Sequence, residues 1–354
     1  MSNIDYLLAR FPALGERLPR MRIGNLPTPV REVEVQLDSG KRQLSIKCDD
    51  LTGIVYGGNK VRKLEYIFPR ARDRKCRRLA TFGAVGSNSA LATALYARQA
   101  GFECTCFLIH QAKTPQIPAT LNTHIQNGTE LVRYGGPYAK RVKTLRDHLW
   151  GRKAWVIPMG ASSWLGTVGF VAGGLELADQ IAKGEISKPD RIYVGTGTMG
   201  TAIGIALGLA IAGLKTEVHA VRVSDVDITN ERLMKNLTQK TALMMRRLDD
   251  SVPENLASRT NIRLRNSFFG DGYAHTTPET DSAISFAKEQ LDIRLEQTYS
   301  GKAMAALLAD LNAPNTESLN ILFWNTYCAM PVTVPTDHAL DEKALPQDFL
   351  RYFA

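Results

Sequence analysis

The chain of 354 residues lacks the marks of several protein classes. Its five cysteines are an odd number, with no C-x-x-C pair and no histidine at zinc-ligand spacing, so we expect neither a disulfide framework nor a metal site. No internal repeat or low-complexity segment occurs, which excludes repeat arrays and collagen-like chains. The first 25 residues carry six charges and no continuous apolar block. We therefore expect no secretory signal, and we predict a cytoplasmic protein with reduced thiols.

Long hydrophobic runs are also scarce, with one exception at 192–214. These 23 residues hold no charge, and Gly200, Gly204 and Gly208 recur every four positions, as in some membrane helices. The segment nevertheless opens on Ile192-Tyr-Val and then turns through glycine and threonine, which a continuous membrane helix disfavours. We predict a buried strand, a turn and a buried helix, and no membrane partner.

Negative charge is in deficit, because the chain has 44 Lys and Arg residues but 35 Asp and Glu residues, which gives a net charge of +9. Residues 70–78 hold six basic residues and one acid, which alone contribute +5. No aromatic residue lies within this run, so stacking on bases is not expected there. We predict a solvated helix end and no nucleic-acid partner.

Short apolar runs alternate with longer helical patterns, which indicates an α/β fold with parallel sheets covered by helices. A loop at 158–166, rich in Gly, Ser and Pro, is a candidate crossing between two domains. The candidate strands are 79–82, 104–109, 130–134, 155–157, 192–194, 217–223, 264–268 and 319–324. The candidate helices are 61–75, 87–100, 116–127, 137–150, 166–183, 200–213, 228–247, 278–290 and 301–312.

The turn at 195–200 is a candidate phosphate site. Its sequence, Gly-Thr-Gly-Thr-Met-Gly, offers successive backbone N–H groups and hydroxyls at the start of a helix. It also matches G-x-G-x-x-G, and Asp225 follows the next candidate strand, so a nicotinamide dinucleotide remains an alternative. The mid-chain position and the threonine hydroxyls favour a terminal phosphate monoester. A tight turn without a ligand is the third interpretation.

Three further segments carry candidate chemistry. Lys60 follows two glycines and an asparagine and begins an amphipathic helix, where the dipole and burial would lower its pKa and favour a Schiff base with an aldehyde. Residues 83–89 read strand, turn and helix start, and can either bind a carboxylate or simply cap the helix. Tyr273 and Tyr299 stand at turns, where each is either functional or an ordinary half-buried aromatic.

Taken together, these segments resemble one enzyme family. GGNKVRKLE, the strand–turn Ser-Asn element, GTGTMGT, GYxH and TYSGKAM occur in the order seen in the 1-aminocyclopropane-1-carboxylate deaminase and D-cysteine desulfhydrase family, from about Leu26 to Thr326. The resemblance implies pyridoxal 5'-phosphate as cofactor, two open twisted α/β domains of the tryptophan synthase β type (fold type II) and a homodimer. It places residues 1–62 and 163–354 in a larger phosphate-binding domain and 63–162 in a smaller one.

The resemblance also implies site residues. Lys60 would bind the cofactor covalently and move protons, and Tyr299, Tyr273 and Ser87 would share the catalysis. The other cofactor contacts would be Asn88, Thr196, Gly197, Thr198, Met199, Gly200 and Thr326. The substrate carboxylate would be held by Ser87, Asn88 and Ser89.

Several departures from the family pattern bear on the substrate. Ser89 replaces His or Gln, Gly86 replaces Gln, and Asn325-Thr-Tyr-Cys328 replaces His-Thr-Gly-Gly. Ser300 stands where the deaminases have Glu and the desulfhydrases Thr, which favours the second branch. We predict α,β-elimination from a small amino acid, giving a 2-oxo acid and ammonia, and sulfide if the substrate is D-cysteine. The alternatives are a 1-aminocyclopropane-1-carboxylate deaminase, a diverged β-replacement enzyme, a racemase or a binding protein and, more remotely, an NAD-dependent oxidoreductase.

Overall fold

The computed structural model describes residues 4–37, 40–314, 316–329 and 345–353. In chain order the strands are β1 Val30–Leu37, β2 Gly40–Cys48, β3 Arg78–Ala84, β4 Glu103–Ile109, β5 Glu130–Arg133, β6 Ala154–Val156, β7 Arg191–Thr196, β8 Glu217–Arg222, β9 Ile262–Arg265 and β10 Ile321–Asn325. The α-helices are α1 Tyr6–Arg10, α2 Pro12–Arg17, α3 Lys60–Asp73, α4 Asn88–Gln99, α5 Ile117–Gln126, α6 Tyr138–Leu149, α7 Trp164–Ala182, α8 Gly200–Ile211, α9 Glu231–Leu248, α10 Pro278–Leu291 and α11 Ser300–Leu311.

The chain divides into two compact units. The first comprises Met1–Tyr66 and Ser162–Ala329, and the second comprises Ile67–Ala161 and Met330–Ala354. The sequence-based division had assigned everything after residue 163 to the first unit, and this is wrong for the described C-terminal residues. Phe349 packs edge-on against the His110 ring at 5.7 Å, and the Tyr352 hydroxyl donates to the Gln111 carbonyl at 3.1 Å, which ties this segment to the second unit.

The first unit is built on a six-stranded sheet in the order β1-β2-β10-β7-β8-β9. All its pairings are parallel except the hairpin of β1 and β2. Its central strands β7 and β10 are mostly apolar and almost wholly buried, as expected of a sheet covered on both faces. Buried residues of α10 and α11 pack with residues of the sheet in one core cluster, and residues of α7 and α8 pack with the sheet in another.

The uncharged segment folds as predicted, into a strand, a turn and a helix. Strand β7 ends at Thr196, and α8 begins at Gly200 and is buried along its whole length. A Cβ on Gly204 would lie 2.3 Å from Cβ of Phe170 in α7, so glycine is needed for this close helix packing. Among the described residues, no helix is both long and apolar enough to cross a membrane.

The second unit contains a four-stranded parallel sheet in the order β5-β4-β3-β6. Phe82 and Phe107 stack at 5.4 Å on one face, and Leu145 and Leu149 of α6 pack against the same cluster. Of the basic run at 70–78, Arg72, Arg74, Lys75 and Arg77 are exposed, and they lie at the end of α3 and before β3.

Candidate active site

Two glycines place Lys60 at the start of α3. A Cβ on Gly57 would lie 1.8 Å from the Asp50 carbonyl oxygen, and one on Gly58 would lie 2.7 Å from the Thr326 carbonyl oxygen. Gly58 also has a φ of +92°, which only glycine adopts without strain. The Asn59 N–H donates to the Thr326 carbonyl at 3.2 Å. This turn therefore fixes Lys60 beside the segment that follows β10.

The environment of Lys60 lowers its pKa to about 8, because burial penalises the ammonium while the nearby Glu296 carboxylate partly opposes the effect. Its Nζ donates to Asn59 Oδ1 at 2.7 Å. One turn further on, Lys63 is fully buried and its pKa is held well below the usual range by burial and by the charge of Lys60. A partly neutral amine is the property that a lysine needs in order to form a Schiff base.

The turn after β7 has the geometry of an anion cradle. The N–H groups of Gly197, Thr198 and Met199 donate to no acceptor among the described residues. The Gly197 carbonyl, in contrast, accepts hydrogen bonds from the Ser224 and Thr229 hydroxyls. Met199 adopts a left-handed φ of +63° just before α8. The turn is thus braced through its carbonyl, and its N–H groups remain free at a helix N-terminus, where an anion is favoured.

Side chains around Gly200 complete this cradle. A Cβ on Gly200 would lie 2.7 Å from Ser162 Oγ and 3.1 Å from Lys63 Nζ, so glycine leaves the space open. Ser162 Oγ lies 2.7 Å from Thr198 Oγ1 and accepts from Lys63 Nζ at 3.0 Å. Hydroxyls, the Lys63 amine and free N–H groups are the donor set that a phosphate monoester requires, and pyridoxal phosphate fits it. Sequence reasoning missed Lys63 and Ser162, although Lys63 follows Lys60 at the helical spacing of three.

Tyr273 and Tyr299 meet each other in the first unit. Their hydroxyl oxygens lie 3.4 Å apart, and their rings form a T-shaped pair with centroids at 5.9 Å. A Cβ on Gly197 would lie 3.1 Å from the Tyr299 hydroxyl, so Tyr299 also borders the phosphate turn. Burial raises the pKa of Tyr299 to about 12 and holds that of Tyr273 well above its ordinary value. Both phenols therefore stay protonated at neutral pH.

Glu296 is a second residue that sequence reasoning missed. Its buried carboxylate accepts the N–H groups of Thr298, Tyr299 and Ser300 at 2.7–2.8 Å, immediately before and at the start of α11. A carboxylate at this position satisfies free helix N–H groups and the positive end of the dipole. Glu296 thereby fixes the backbone of Tyr299 and also places a negative charge near Lys60. The signal that could have identified Glu296 from the sequence is its position three residues before Tyr299.

The departures at Ser300, Tyr327 and Cys328 also lie in the first unit. Ser300 is buried, and its hydroxyl accepts from the Glu296 N–H at 2.9 Å, so it belongs to the cap of α11. Burial raises the pKa of Tyr327 to about 12, with Glu296 and Cys328 as contributing neighbours. Cys328 Sγ would lie 3.3 Å from a Cβ on Gly57. The altered segment after β10 therefore borders the turn that carries Lys60.

The remaining predicted residues lie in the second unit. Ser87 caps α4 by accepting the Ala90 N–H at 3.3 Å, and Asn88 is the first residue of that helix. The buried hydroxyl of Ser89 has no hydrogen-bond partner within the described parts of the chain. The structure thus brings Lys60, Thr196–Gly200, Thr326 and the tyrosine pair together in one unit. It places Ser87, Asn88 and Ser89 at one helix start in the other.

Comparison with known proteins bears on the cofactor and the fold. Residues 21–326 match a family model described as pyridoxal-phosphate dependent enzyme. The D-cysteine desulfhydrase of Salmonella choleraesuis is 30% identical over 306 residues, which cover 82% of this chain and 88% of that protein. A crystal structure of an ACC deaminase homologue superposes with a TM-score of 0.74 at 26% identity, covering 92% of this chain and 95% of the other. A threonine deaminase of Solanum lycopersicum shares the fold alone, with a TM-score of 0.56 at 14% identity over 96% of this chain and 87% of the other.

Proposed function

The chain belongs to the pyridoxal-phosphate dependent enzymes, and we propose that it catalyses α,β-elimination from a small amino acid of the cysteine type. Its fold is fold type II, and its cofactor is pyridoxal phosphate, which replaces the nicotinamide alternative. The observation that carries the proposal is the meeting of a partly neutral lysine, a pair of protonated tyrosines and a phosphate cradle in one unit.

The residues present fit the cofactor. The free N–H groups of the turn at 197–199, with Ser162 and Lys63, would hold its phosphate, and Lys60 would hold its aldehyde carbon. When bound, pyridoxal phosphate supplies an electron sink for a carbanion formed on the substrate. Thr326 and Asn88 are the further contacts that we propose for its ring.

Lys60 is the proposed base. An amine with a pKa of about 8 is substantially neutral near physiological pH and has a conjugate acid strong enough to return the proton. The proton that it removes is that on the substrate Cα. Glu296, which raises the pKa of Lys60, would stabilise the ammonium form once the proton has moved.

Tyr299 and Tyr273 are the proposed proton donors. Both are protonated at neutral pH because their pKa values are raised, so each has a proton available where a leaving sulfur would accept one. Ser87, Asn88 and Ser89 are the proposed ligands of the substrate carboxylate, and the unpartnered Ser89 hydroxyl supports this assignment. With cysteine and water as reactants, the balanced products are pyruvate, ammonia and hydrogen sulfide.

The second candidate is ring opening of 1-aminocyclopropane-1-carboxylate, which the likeness to the ACC deaminase homologue supports. Ser300 argues against it, because its neutral hydroxyl lies in the cap of α11 where the deaminase pattern has a carboxylate. Elimination therefore remains the preferred reaction. β-Replacement and racemisation would use the same lysine, and the product assay below separates racemisation from elimination.

The test is a product assay on the purified, cofactor-loaded protein. D- and L-cysteine, D- and L-serine and 1-aminocyclopropane-1-carboxylate are each supplied, and pyruvate, 2-oxobutyrate, ammonia and sulfide are measured. We expect pyruvate, ammonia and sulfide in equal amounts from one cysteine enantiomer. A 2-oxobutyrate product would favour the second candidate, and inverted substrate without ammonia would favour racemisation.

A Lys60→Ala variant tests the assignment of the lysine. We expect it to lose both turnover and the absorbance of the lysine-bound cofactor at the edge of the visible range. Lys288→Met, at an exposed lysine on α10, is the matched control and should keep both. Persistence of the absorbance band in Lys60→Ala would contradict the assignment.

We also propose that the enzyme is a cytoplasmic homodimer, as its family resemblance implies. The odd number of cysteines, which the structure joins in no disulfide, supports the compartment. Sedimentation of the cofactor-loaded protein at micromolar concentration is the test of the dimer. A mass equal to one chain would refute it.

A further inference from the structure

Lys302 occupies an unusual place for a lysine. It lies in the first turn of α11, is fully buried and projects from the helix end where a positive charge is disfavoured. Burial lowers its pKa to about 8, with Arg222 lowering it further and Glu296 and Asp271 opposing the shift. Burying an ammonium at such a position is costly unless specific partners offset the cost.

Those partners are backbone carbonyls of the loop that carries Tyr273. Lys302 Nζ donates to the Phe269 carbonyl at 2.5 Å and to the Gly272 carbonyl at 2.9 Å. The loop at 266–277 contains no helix or strand, and it passes through left-handed backbone at Gly270, Gly272 and Ala274. It therefore has few backbone hydrogen bonds of its own to define its course.

Neighbouring side chains extend the same attachment. Gln297 Nε2 donates to the Ala274 carbonyl at 2.6 Å, on the other side of Tyr273 from the carbonyls that Lys302 holds. The Phe269 ring centroid lies 4.4 Å from the Arg222 guanidinium and 5.2 Å from Lys302 Nζ. Gln297 and Lys302 flank Tyr299 in the chain, so the segment that carries one tyrosine also holds the loop of the other.

We propose that Lys302 is a positioning residue, which clamps the Phe269 and Gly272 carbonyls and so holds the Tyr273 hydroxyl against that of Tyr299. The inference rests on the proposed function for its catalytic consequence, because it concerns the tyrosines assigned there as proton donors. The effect of Lys302 on the position of the Tyr273 loop does not depend on that function. Without the clamp, the Tyr273 loop loses two of the three side-chain hydrogen bonds that its backbone carbonyls at 269–274 accept, and the phenol pair separates.

Hydrogen exchange tests the clamp without reference to any substrate. In the cofactor-loaded protein, Lys302→Met should accelerate amide exchange at 267–276 about tenfold or more, since two hydrogen bonds to the loop are lost. Lys288→Met, at an exposed lysine on the adjacent helix α10, is the matched control and should leave that exchange unchanged. Unchanged exchange in Lys302→Met would overturn the proposal.

Kinetics test the consequence for catalysis. Lys302→Met should lower kcat about 10- to 100-fold, as expected when a catalytic group is misplaced, with a far smaller change in KM. If Lys302 acts through Tyr273, the double variant Lys302→Met/Tyr273→Phe should be no slower than the slower single variant. Multiplying losses would overturn the proposal.

A second variant covers misfolding of Lys302→Met, and the exchange measurement covers an inactive wild-type protein. If Lys302→Met fails to fold, Gln297→Leu removes the third attachment without touching a buried charge, and it should accelerate exchange at the same loop by a smaller factor. No change in that variant would overturn the clamp. If the wild-type protein eliminates nothing from any amino acid, the proposed function fails, while the exchange measurement still decides the clamp.

Discussion

The lowered pKa of Lys60 predicts selective chemistry at one lysine of the cofactor-free protein. At pH 7.5, an amine with a pKa of about 8 is ~24% neutral, whereas one at the ordinary value of 10.5 is ~0.1% neutral. The reactive form is therefore about 240 times more abundant at Lys60 than at an unperturbed lysine. Lys60 is also half-buried rather than sealed, so a small electrophile can reach it.

Competitive labelling with trace acetic anhydride measures this difference. Apoprotein is acetylated at a series of pH values, then denatured and fully modified with a deuterated reagent, and each lysine peptide is quantified by mass spectrometry. The acetylation rate at Lys60 should rise with a midpoint near pH 8 and then level off. Rates at the exposed Lys41, whose pKa is raised by its hydrogen bond and ion pair with Glu34, should go on rising across that range, and cofactor loading should protect Lys60 alone.

Two other lysines provide an internal control for access. Lys63 and Lys302 also have lowered pKa values, but both are fully buried, so neutrality without access should leave them unlabelled. The reasoning is refuted if the Lys60 rate follows that of Lys41 across the whole pH range. It is equally refuted if Lys63 is modified before Lys60, because burial would then not be what separates them.

Three further predictions concern stability and the phosphate cradle. His124 is buried, neither of its ring nitrogens is bonded among the described residues, and burial lowers its pKa to about 4. Between pH 6.5 and 4 the unfolded chain therefore binds a proton at this histidine that the folded chain does not. The free energy of unfolding should consequently fall by about 2 kcal/mol between pH 7.5 and pH 5. Urea unfolding at pH 7.5 and pH 5 should show this loss in the wild type and its absence in His124→Leu. Gly200→Ala should weaken cofactor affinity in a titration, at nearly constant free energy of unfolding. Gly204→Ala should lower the free energy of unfolding in urea by about 1–3 kcal/mol, because its Cβ clashes with α7. Arg62→Met should cost about 3–5 kcal/mol in urea unfolding, because buried Asp49 and Glu176 lose the guanidinium that they share and only Glu176 keeps a second cation, Lys47.

The apolar strands and glycine turns of this chain were predictable because local sequence determines them. β7, the turn at 197–199 and α8 follow from an apolar run interrupted by glycines, and the helix at Lys60 follows from its own amphipathic pattern. The hairpin of β1 and β2 escaped prediction because its exposed edge strand is rich in charge and lacks an apolar run. The C-terminal segment was misassigned because its attachment to His110 and Gln111 is a contact across more than 200 positions.

Some residues of the candidate site could likewise be proposed from the sequence, and others could not. Lys60 and Thr196–Gly200 could be proposed from the sequence because each stands in a short motif with its own chemistry, and the tyrosines could be proposed because their motifs resemble those of the family. Lys302 and Glu296 were missed because their importance depends on burial and on partners, neither of which a residue type reveals. A lysine after a glycine is ordinarily a surface residue, and only the carbonyls of a distant loop make Lys302 informative.

The helix that Lys60 begins shows how the fold supports a reactive amine. Its sequence, KVRKLE, would suit an exposed helix, yet Arg62, Lys63 and Glu65 are all buried. Arg62 bonds two carboxylates, Asp49 at 2.7 Å and Glu176 at 2.8 Å, and Glu65 accepts from Arg20 at 2.5 Å. Within the described parts of the chain no carboxylate is bonded to Lys60, whose Nζ donates to Asn59 Oδ1. The full ion pairs therefore anchor the helix, and withholding one from Lys60 is what leaves its amine free to lose a proton near neutral pH.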